Sequence, residues 1–566
     1  MTQATLFIFA VLAGTALLSW PLGRYMTWAM DPDKGRAGEQ VGSHVGPNRP
    51  TVLFQAIGGR LSHEDQNWKR YALSLLGFNV VMFVVVFAVL ALQQYLPLNP
   101  DAKQALDPSL IFNTAASFTT NTNLQHYSGE VSLSYLTQLA GLMWLQFVSA
   151  AIGLAVLTAI ARGLAGRRLG NFFVDVQRAT FLVLLPVAFI FAILLLLTGV
   201  PMTFNGSVVA TTLEGVQQTI ARGPVAAFVA IKQVGTNGGG FFGPNSTHPL
   251  ENPSFWSNAV ETVAIIIIPM ACVWMFGHII GRLRHAGVLF AVMLILMGAR
   301  IAATVGFEAV PTSAFASLPI TQDVGNLEGK ELRFGASAGP LWAVVTTSTS
   351  NGSVNAMHDS LNPLSGMMPM VGMWLNEDFG GVGVGMVNMF LYIIVGVFIA
   401  GMMIGRTPEY LGWRVEAKEV KFAMMGLLSH GFLILVGTAI LAVTPWGVDT
   451  LNNIGPHGFS EILYEFSSAA ANNGSGFEGL GDATTPWNIA TGIVMLLARF
   501  IPIILPLAII GSLSAKRRAT ETSGTLSVED GTFASMLTVT VVIVGALTFF
   551  PAAALGPIAE HVMFMK

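Results

Sequence analysis

The stretch Ala226-Ala227-Phe228-Val229-Ala230-Ile231-Lys232-Gln233-Val234 runs directly into Gly235-Thr236-Asn237-Gly238-Gly239-Gly240. An apolar helix of about ten residues rises only about 15 Å, half the hydrocarbon thickness of a bilayer. Such a segment must enter and turn back, and glycine supplies the backbone conformations that a sharp turn needs. Non-helical backbone at that depth is tolerated only where protein buries it or where it lines a water-filled path, because lipid cannot pair amide and carbonyl groups.

The same arrangement occurs three more times. Leu110-Ile111-Phe112-Asn113-Thr114-Ala115-Ala116-Ser117-Phe118 leads into Thr119-Thr120-Asn121-Thr122-Asn123. Leu341-Trp342-Ala343-Val344-Val345-Thr346-Thr347 leads into Ser348-Thr349-Ser350-Asn351-Gly352, and Ile462-Leu463-Tyr464-Glu465-Phe466 into Ser467-Ser468-Ala469-Ala470-Ala471-Asn472-Asn473-Gly474. Gly238, Gly352 and Gly474 stand 114 and 122 residues apart. A near-regular period of this kind marks tandem duplication. One Asn-Gly cluster would read as an ordinary surface turn; four, each after a short apolar helix and before a long one, read as re-entrant loops around a common axis.

Outward from these loops the chain is lipid-soluble in composition: 53% of its 566 residues are hydrophobic and 10% are charged, with mean hydropathy +0.63. Ten apolar stretches are long enough to span, near residues 4–24, 71–94, 136–160, 179–200, 258–281, 285–305, 383–404, 422–444, 489–513 and 533–555, given about 20 residues per crossing. The first has no basic residue ahead of it, so it reads as a spanning helix rather than a cleaved leader. Basic residues crowd every second connection: Lys34, Arg36, Arg49, Arg60, Lys69 and Arg70; Arg162, Arg167, Arg168 and Arg178; Arg282 and Arg284; Arg406, Arg414, Lys418 and Lys421; Lys516, Arg517 and Arg518. Those connections are expected to be cytoplasmic, with both termini outside.

The expectation is an all-α integral membrane protein with ten transmembrane helices. Four pseudo-symmetric repeats of helix, re-entrant pore loop and helix surround a central pore, over 71–160, 179–281, 285–404 and 422–513. Two extra helices lie in 1–70, with its cytoplasmic loop, and in 533–566, with an outer C-terminus. A net charge of −3 gives no reason to expect nucleic acid. The lone cysteine, Cys272, allows neither a disulfide nor a thiolate metal site within the chain.

Helices entering from outside aim their C-terminal carbonyls at the membrane centre, where the partial negative charge favours a cation. The loops add backbone carbonyls, the hydroxyls of Thr122, Thr236 and Ser350, and asparagine amide oxygens. Rings of neutral oxygens can replace the shell of a weakly hydrated ion and still release it, which suits K+. Calcium or magnesium would call for carboxylates, and no cluster carries Asp or Glu at its tip.

These strings resemble the potassium-transporting A chain of the bacterial Kdp family of ATPases, within a superfamily of potassium transporters. The resemblance is carried by Asn121-Thr122-Asn123-Leu124-Gln125, Gly235-Thr236-Asn237-Gly238-Gly239-Gly240-Phe241-Phe242, Asn351-Gly352-Ser353-Val354-Asn355-Ala356-Met357-His358-Asp359-Ser360, Gly405-Arg406-Thr407-Pro408-Glu409-Tyr410-Leu411-Gly412 and Ala471-Asn472-Asn473-Gly474-Ser475-Gly476. It implies a K+ filter formed by Asn121, Thr122, Asn123 and Gln125; Thr236, Asn237 and Gly238; Ser350, Asn351 and Gly352; and Asn472, Asn473 and Gly474. The first loop departs from the Asn-Gly pattern by placing Leu124 after Asn123, and the Asn351 side chain is not expected to touch the ion.

The resemblance further implies potassium uptake across the bacterial inner membrane. K+ is selected outside and passed to a P-type ATPase subunit that uses ATP and Mg2+, with a periplasm-facing accessory subunit and a small single-span subunit completing the complex. The chain itself shows no Gly-x-x-x-x-Gly-Lys-Ser/Thr string, so it is read as a non-catalytic subunit that binds no cofactor. The alternatives are a self-sufficient potassium channel or ion-coupled symporter of the same superfamily, and an intramembrane enzyme using His126, His248, His358 or His430. No two of these histidines have metal-ligand spacing within one helix.

Charges inside spans face the protein interior as a rule. Arg499 is expected either to sit below the filter and repel cations from a straight cytoplasmic exit, or to form a structural salt bridge. Arg300 is expected to snorkel from its outer position. Lys232 should turn from the cation path toward a carboxylate, and His358 and Asp359 should brace the third loop. Glu377 and Asp378 would form an outer vestibule or a solvated face.

Overall fold

The computed structural model describes residues 3–32, 49–62, 64–312, 318–519 and 526–564. Lys34 and Arg36 of the first basic connection lie outside the described residues. Ten helices are long and apolar enough to cross a membrane: Gln3–Met30, Trp68–Tyr95, Thr137–Leu164, Phe172–Leu197, Phe255–Ile280, Leu283–Glu308, Val384–Met403, Ala417–Ala442, Thr485–Leu513 and Gly531–Leu555. Each overlaps one of the ten predicted stretches. Several run further than hydropathy alone indicates, and polar side chains within them bond back to carbonyls of the same helix. Thr27 Oγ1, for example, donates to the Gly23 carbonyl at 2.8 Å in the first span.

Four shorter helices follow the second, fourth, sixth and eighth spans: Pro108–Thr119, Val225–Val234, Ala338–Ser348 and Pro456–Ala471. The first starts at an Asp107 cap, whose side chain accepts the Ser109 N–H at 2.8 Å, with proline in the first position. The fourth is longer than the predicted 462–466 because Pro456 begins it well before the apolar residues.

Burial divides the spans into two rings. The most apolar windows of spans three, five, seven and nine are 83, 78, 78 and 56% buried, against 22, 33, 44 and 28% for spans two, four, six and eight. Each short helix is thus flanked by one outer and one inner span. Span one packs on span five, where a Cβ on Gly23 would lie 2.6 Å from Trp274 Cβ. Span ten packs on the third repeat, with Gly545 against Leu375 and Gly396 against Thr540. The only strands among the described residues are two short hairpins, Val208–Thr211 with Gln217–Ile220 and Glu409–Tyr410 with Trp413–Arg414.

The inner helix of the third repeat differs from the sequence reading. A helix Pro363–Leu375 precedes the seventh span, and the chain breaks between them over 376–383. Asn376, Phe379, Gly381 and Gly383 all have positive φ there, from 50° to 81°, which no helix can contain. Glu377 and Asp378 therefore lie in a buried break between two helices, fully enclosed, and form neither an outer vestibule nor a solvated face.

Arg300 likewise does not snorkel: it is buried, donates to Ser348 Oγ at 2.8 Å and pairs with Asp378. Snorkelling pays only when no internal partner is in reach, and Asp378 provides one that span six could not announce. His358 and Asp359 bind the fourth repeat. His358 Nδ1 meets Tyr464 OH at 2.8 Å, and Asp359 pairs at 2.8 Å with His457, which also pairs with Glu560 of the final helix Pro557–Phe564.

Candidate ion-binding site

Each short helix ends in the same backbone motif. Asn121, Thr236, Ser350 and Asn472 adopt φ of 63°, 48°, 47° and 52°, and two residues later Asn123, Gly238, Gly352 and Gly474 adopt 56°, 81°, 93° and 102°. The residues between them, Thr122, Asn237, Asn351 and Asn473, send their N–H groups back to the carbonyls of Ser117, Lys232, Thr346 and Ser468 at 2.9, 3.0, 2.8 and 2.9 Å. A left-handed residue followed by a bond reaching back five positions is the Schellman way of closing a helix C-terminus. Here it turns each chain sharply away from a helix end whose dipole is negative.

This register fixes which loop positions are equivalent. Thr122 stands with Asn237, Asn351 and Asn473 rather than with Thr236 and Ser350, and Asn123 stands with the three glycines. Asparagine fits because it tolerates the left-handed region better than other side chains do.

The loops close a ring in chain order. A Cβ on Gly238 would lie 2.0 Å from the Asn351 carbonyl oxygen, one on Gly352 1.9 Å from that of Asn473, and one on Gly474 2.2 Å from that of Thr122. Asn121 Nδ2 joins the first loop to the second, donating to the Thr236 carbonyl at 2.7 Å.

The asparagine side chains hold this ring together. Asn351 Nδ2 donates to the Lys232 carbonyl at 3.2 Å, Asn473 Nδ2 to the Thr346 carbonyl at 2.9 Å and Asn472 Nδ2 to Thr122 Oγ1 at 2.9 Å. Asn237 Nδ2 donates to the Gln146 carbonyl of span three at 3.0 Å. The Gln125 amide binds Gly240 twice, accepting its N–H at 2.7 Å and donating to its carbonyl at 3.0 Å. Thr236 Oγ1 accepts the Val382 N–H at 3.0 Å, and Ser350 Oγ donates to Asn376 Oδ1 at 2.8 Å. By contrast, the carbonyls of Thr122, Asn123, Asn237, Asn351, Gly352, Asn473 and Gly474 accept no hydrogen bond among the described residues. The oxygens left over in the ring are mainly carbonyls, and the side chains set their positions.

Beneath the left-handed residues Asn121, Ser350 and Asn472 lies a cavity of about 40 Å³, also bounded by Asn376, Tyr392 and Arg499. The cavity is large enough for more than one water-sized particle, each needing roughly 10–15 Å³. Arg499 is buried, donates to the Ser149 carbonyl at 3.0 Å and makes no ion pair among the described residues. Ser149 Oγ in turn donates to Asn121 Oδ1 at 2.8 Å, so one residue separates the guanidinium from the first loop.

Sequence reading did not find Asn376, although Gly380-Gly381-Val382-Gly383 just after it signals an interrupted helix. Nor did it find that His126 meets Asn488 at 2.7 Å and Glu465 at 3.2 Å, fastening the first loop to the fourth repeat. Two groups gather potential metal-ligand atoms within 4.8 Å, His126 with Glu465 and Asp482, and His457 with Asp359 and Glu461. Each includes one histidine, already in contact with carboxylates.

A family model described as the potassium-transporting ATPase A subunit matches residues 9–562. The chain belongs to this family. A potassium-transporting ATPase potassium-binding subunit of Pseudomonas aeruginosa is 51% identical over 561 residues, covering 98% of each chain. A protein of the same description from Granulibacter bethesdensis is 46% identical over 565 residues, covering 99% of this chain and 98% of the relative. Among solved structures, the potassium transporter TrkH of Vibrio parahaemolyticus superposes with a TM-score of 0.52 over 89% of this chain and 98% of its own, at 14% identity. That likeness gives the A-subunit chain the helical membrane fold of a potassium transporter.

Proposed function

We propose that this A-subunit chain binds potassium from the outer side in the ring of four loops and delivers it to a P-type ATPase partner. The observation that carries the reading is the shared motif: four helix C-termini, four identical turns and carbonyls left without protein donors around one ring. Two close relatives named as potassium-binding subunits of a transporting ATPase favour this over a self-sufficient channel or symporter.

The filter in this reading consists of Asn121, Thr122, Asn123, Thr236, Asn237, Gly238, Ser350, Asn351, Gly352, Asn472, Asn473 and Gly474. Their backbone faces the ion and their asparagine side chains fix neighbouring loops. Gln125 acts as a clamp on the second loop. Arg499, buried under the ring with no ion pair among the described residues, repels a cation from the direct inward route, so that the ion leaves toward the partner. ATP hydrolysis with Mg2+ belongs to the P-type subunit, a division of labour favoured by relatives named as the potassium-binding subunit of the ATPase. A periplasm-facing subunit and a small single-span subunit complete the assembly in the bacterial inner membrane. The alternation of basic connections supports an arrangement with both termini of this chain outside.

The test is potassium-stimulated ATPase activity of the purified complex carrying Gly352→Ala or Gly238→Asp. Each substitution places a side chain on a left-handed glycine that touches the next loop's carbonyl. The half-saturating K+ concentration should rise at least about tenfold, equivalent to about 1.4 kcal/mol, with subunit composition unchanged. An assembled complex with unaltered potassium dependence would place recognition in another subunit.

A further inference from the structure

The second loop is built unlike the third and fourth. Where those have Thr346 and Ser468 as the residue that accepts the loop's returning N–H, the second has Lys232. The hydroxyls of Thr346 and Ser468 each accept a further N–H at 2.9 Å, from Gly352 and Gly474. A lysine ammonium has only donors and cannot do this.

Its side chain, wholly buried, runs away from the ring. Nζ donates to Asn245 Oδ1 at 2.6 Å, Ser246 Oγ at 2.6 Å and Glu251 Oε2 at 2.5 Å, which uses all three of its N–H bonds. Asn245 Oδ1 accepts the Ser246 N–H as well, at 2.9 Å. Two donors on one atom identify it as the oxygen. The amide nitrogen then faces back to the ring and donates to the Gly238 carbonyl at 2.7 Å. Glu251 holds the far end, with Oε1 accepting the Phe242 N–H at 2.9 Å.

Of the four equivalent carbonyls, Asn123, Gly238, Gly352 and Gly474, only that of Gly238 accepts a hydrogen bond among the described residues. A carbonyl so held cannot swing freely, and part of its lone-pair density is committed.

We propose that Lys232 is a specificity-positioning residue of the ring, acting through Asn245 to fix the direction of the Gly238 carbonyl and so the size of monovalent cation the ring accepts. Selectivity in such rings depends on the number, field and stiffness of the carbonyl dipoles, and this device stiffens one of four. The inference rests on the reading of the ring as the potassium site.

Asn245→Asp isolates the device. The carboxylate keeps an oxygen for Lys232 Nζ and the Ser246 N–H, and it replaces the donor facing Gly238 with a second oxygen. Asn245 has φ 57°, a conformation Asp also tolerates. ATPase activity of the whole purified complex would be titrated with K+ and with Rb+, beside Gly352→Ala and Lys232→Met. The ratio of half-saturating Rb+ to K+ should change at least about fivefold in Asn245→Asp, on the scale of one hydrogen bond, with maximal rate within about twofold. Lys232→Met, in whatever fraction assembles, should shift the ratio in the same direction. A ratio within about twofold of the parent in assembled Asn245→Asp complex overturns the proposal, as does a fall in maximal rate alone, which marks a purely structural role. If Gly352→Ala still raises half-saturating K+, the ring reading survives that failure; if it too leaves potassium dependence unchanged, both readings fall.

Discussion

The ring of loops and the break beneath it are neighbours built on opposite electrostatic principles. Around the ring, asparagines, serines and threonines pair with backbone or with one another, and the oxygens left over among the described residues are neutral. In the break at 376–383 and on the facing helices stand ionisable side chains: Asp378 paired with Arg300, Glu377 next to it in the chain, and Arg499 lining the cavity. Neutral ligands let an ion bind and leave, whereas a buried guanidinium without a counter-ion opposes a cation wherever it sits. On the proposed reading, recognition and exclusion share one small cavity, the first assigned to backbone dipoles and the second to side-chain charge.

The largest effect is expected from breaking the charged side. Arg300→Met leaves Asp378 and Glu377 buried together without a cation, and removing one partner of such a pair costs about 3–5 kcal/mol. Thermal unfolding of the purified complex should show a marked loss of stability, and adding Asp378→Asn should restore part of it. A variant as stable as the parent would mean that Arg300 and Asp378 are not a working pair.

A smaller effect, on function rather than stability, is expected from Arg499→Gln. Glutamine can still donate toward the Ser149 carbonyl but carries no charge. Reconstituted complexes should admit K+ down its gradient without ATP, while half-saturating K+ stays within about threefold, below 1 kcal/mol. Vesicles that remain tight would show that Arg499 does not bar the inward route.

The smallest change sharpens the boundary between the two principles. Asn123→Gly gives the first loop the residue found at the equivalent place in the other three. It relieves the left-handed backbone and removes only weak side-chain contacts, to Asn237 at 3.4 Å and Gln146 at 3.2 Å. Potassium affinity should move by no more than about threefold. A large loss would identify the Asn123 side chain as an ion ligand and break the contrast, since the ring would then select by side chains as well as by backbone.

The sequence alone determined the ten spans, the four short helices and their approximate fourfold relation. It could do so because bilayer thickness converts hydropathy and length directly into crossing or turning back, and duplication leaves a period that counting detects. It also singled out the polar residues that follow each short helix, since non-helical backbone at that depth must be buried in protein or line a water-filled path.

The tertiary structure decided what those residues do. Sequence suggested asparagine oxygens and the hydroxyls of Thr122, Thr236 and Ser350 as ligands, without fixing which loop positions are equivalent. Folding instead turned the amides onto neighbouring loops 115 to 350 residues away and set Thr122 level with Asn237. Arg300 finds Asp378 across 78 residues, and Lys232 reaches the Gly238 carbonyl only through Asn245. Hydropathy is a property of each segment and survives in one dimension. Hydrogen bonds and ion pairs are properties of pairs, and their partners are chosen when the segments pack.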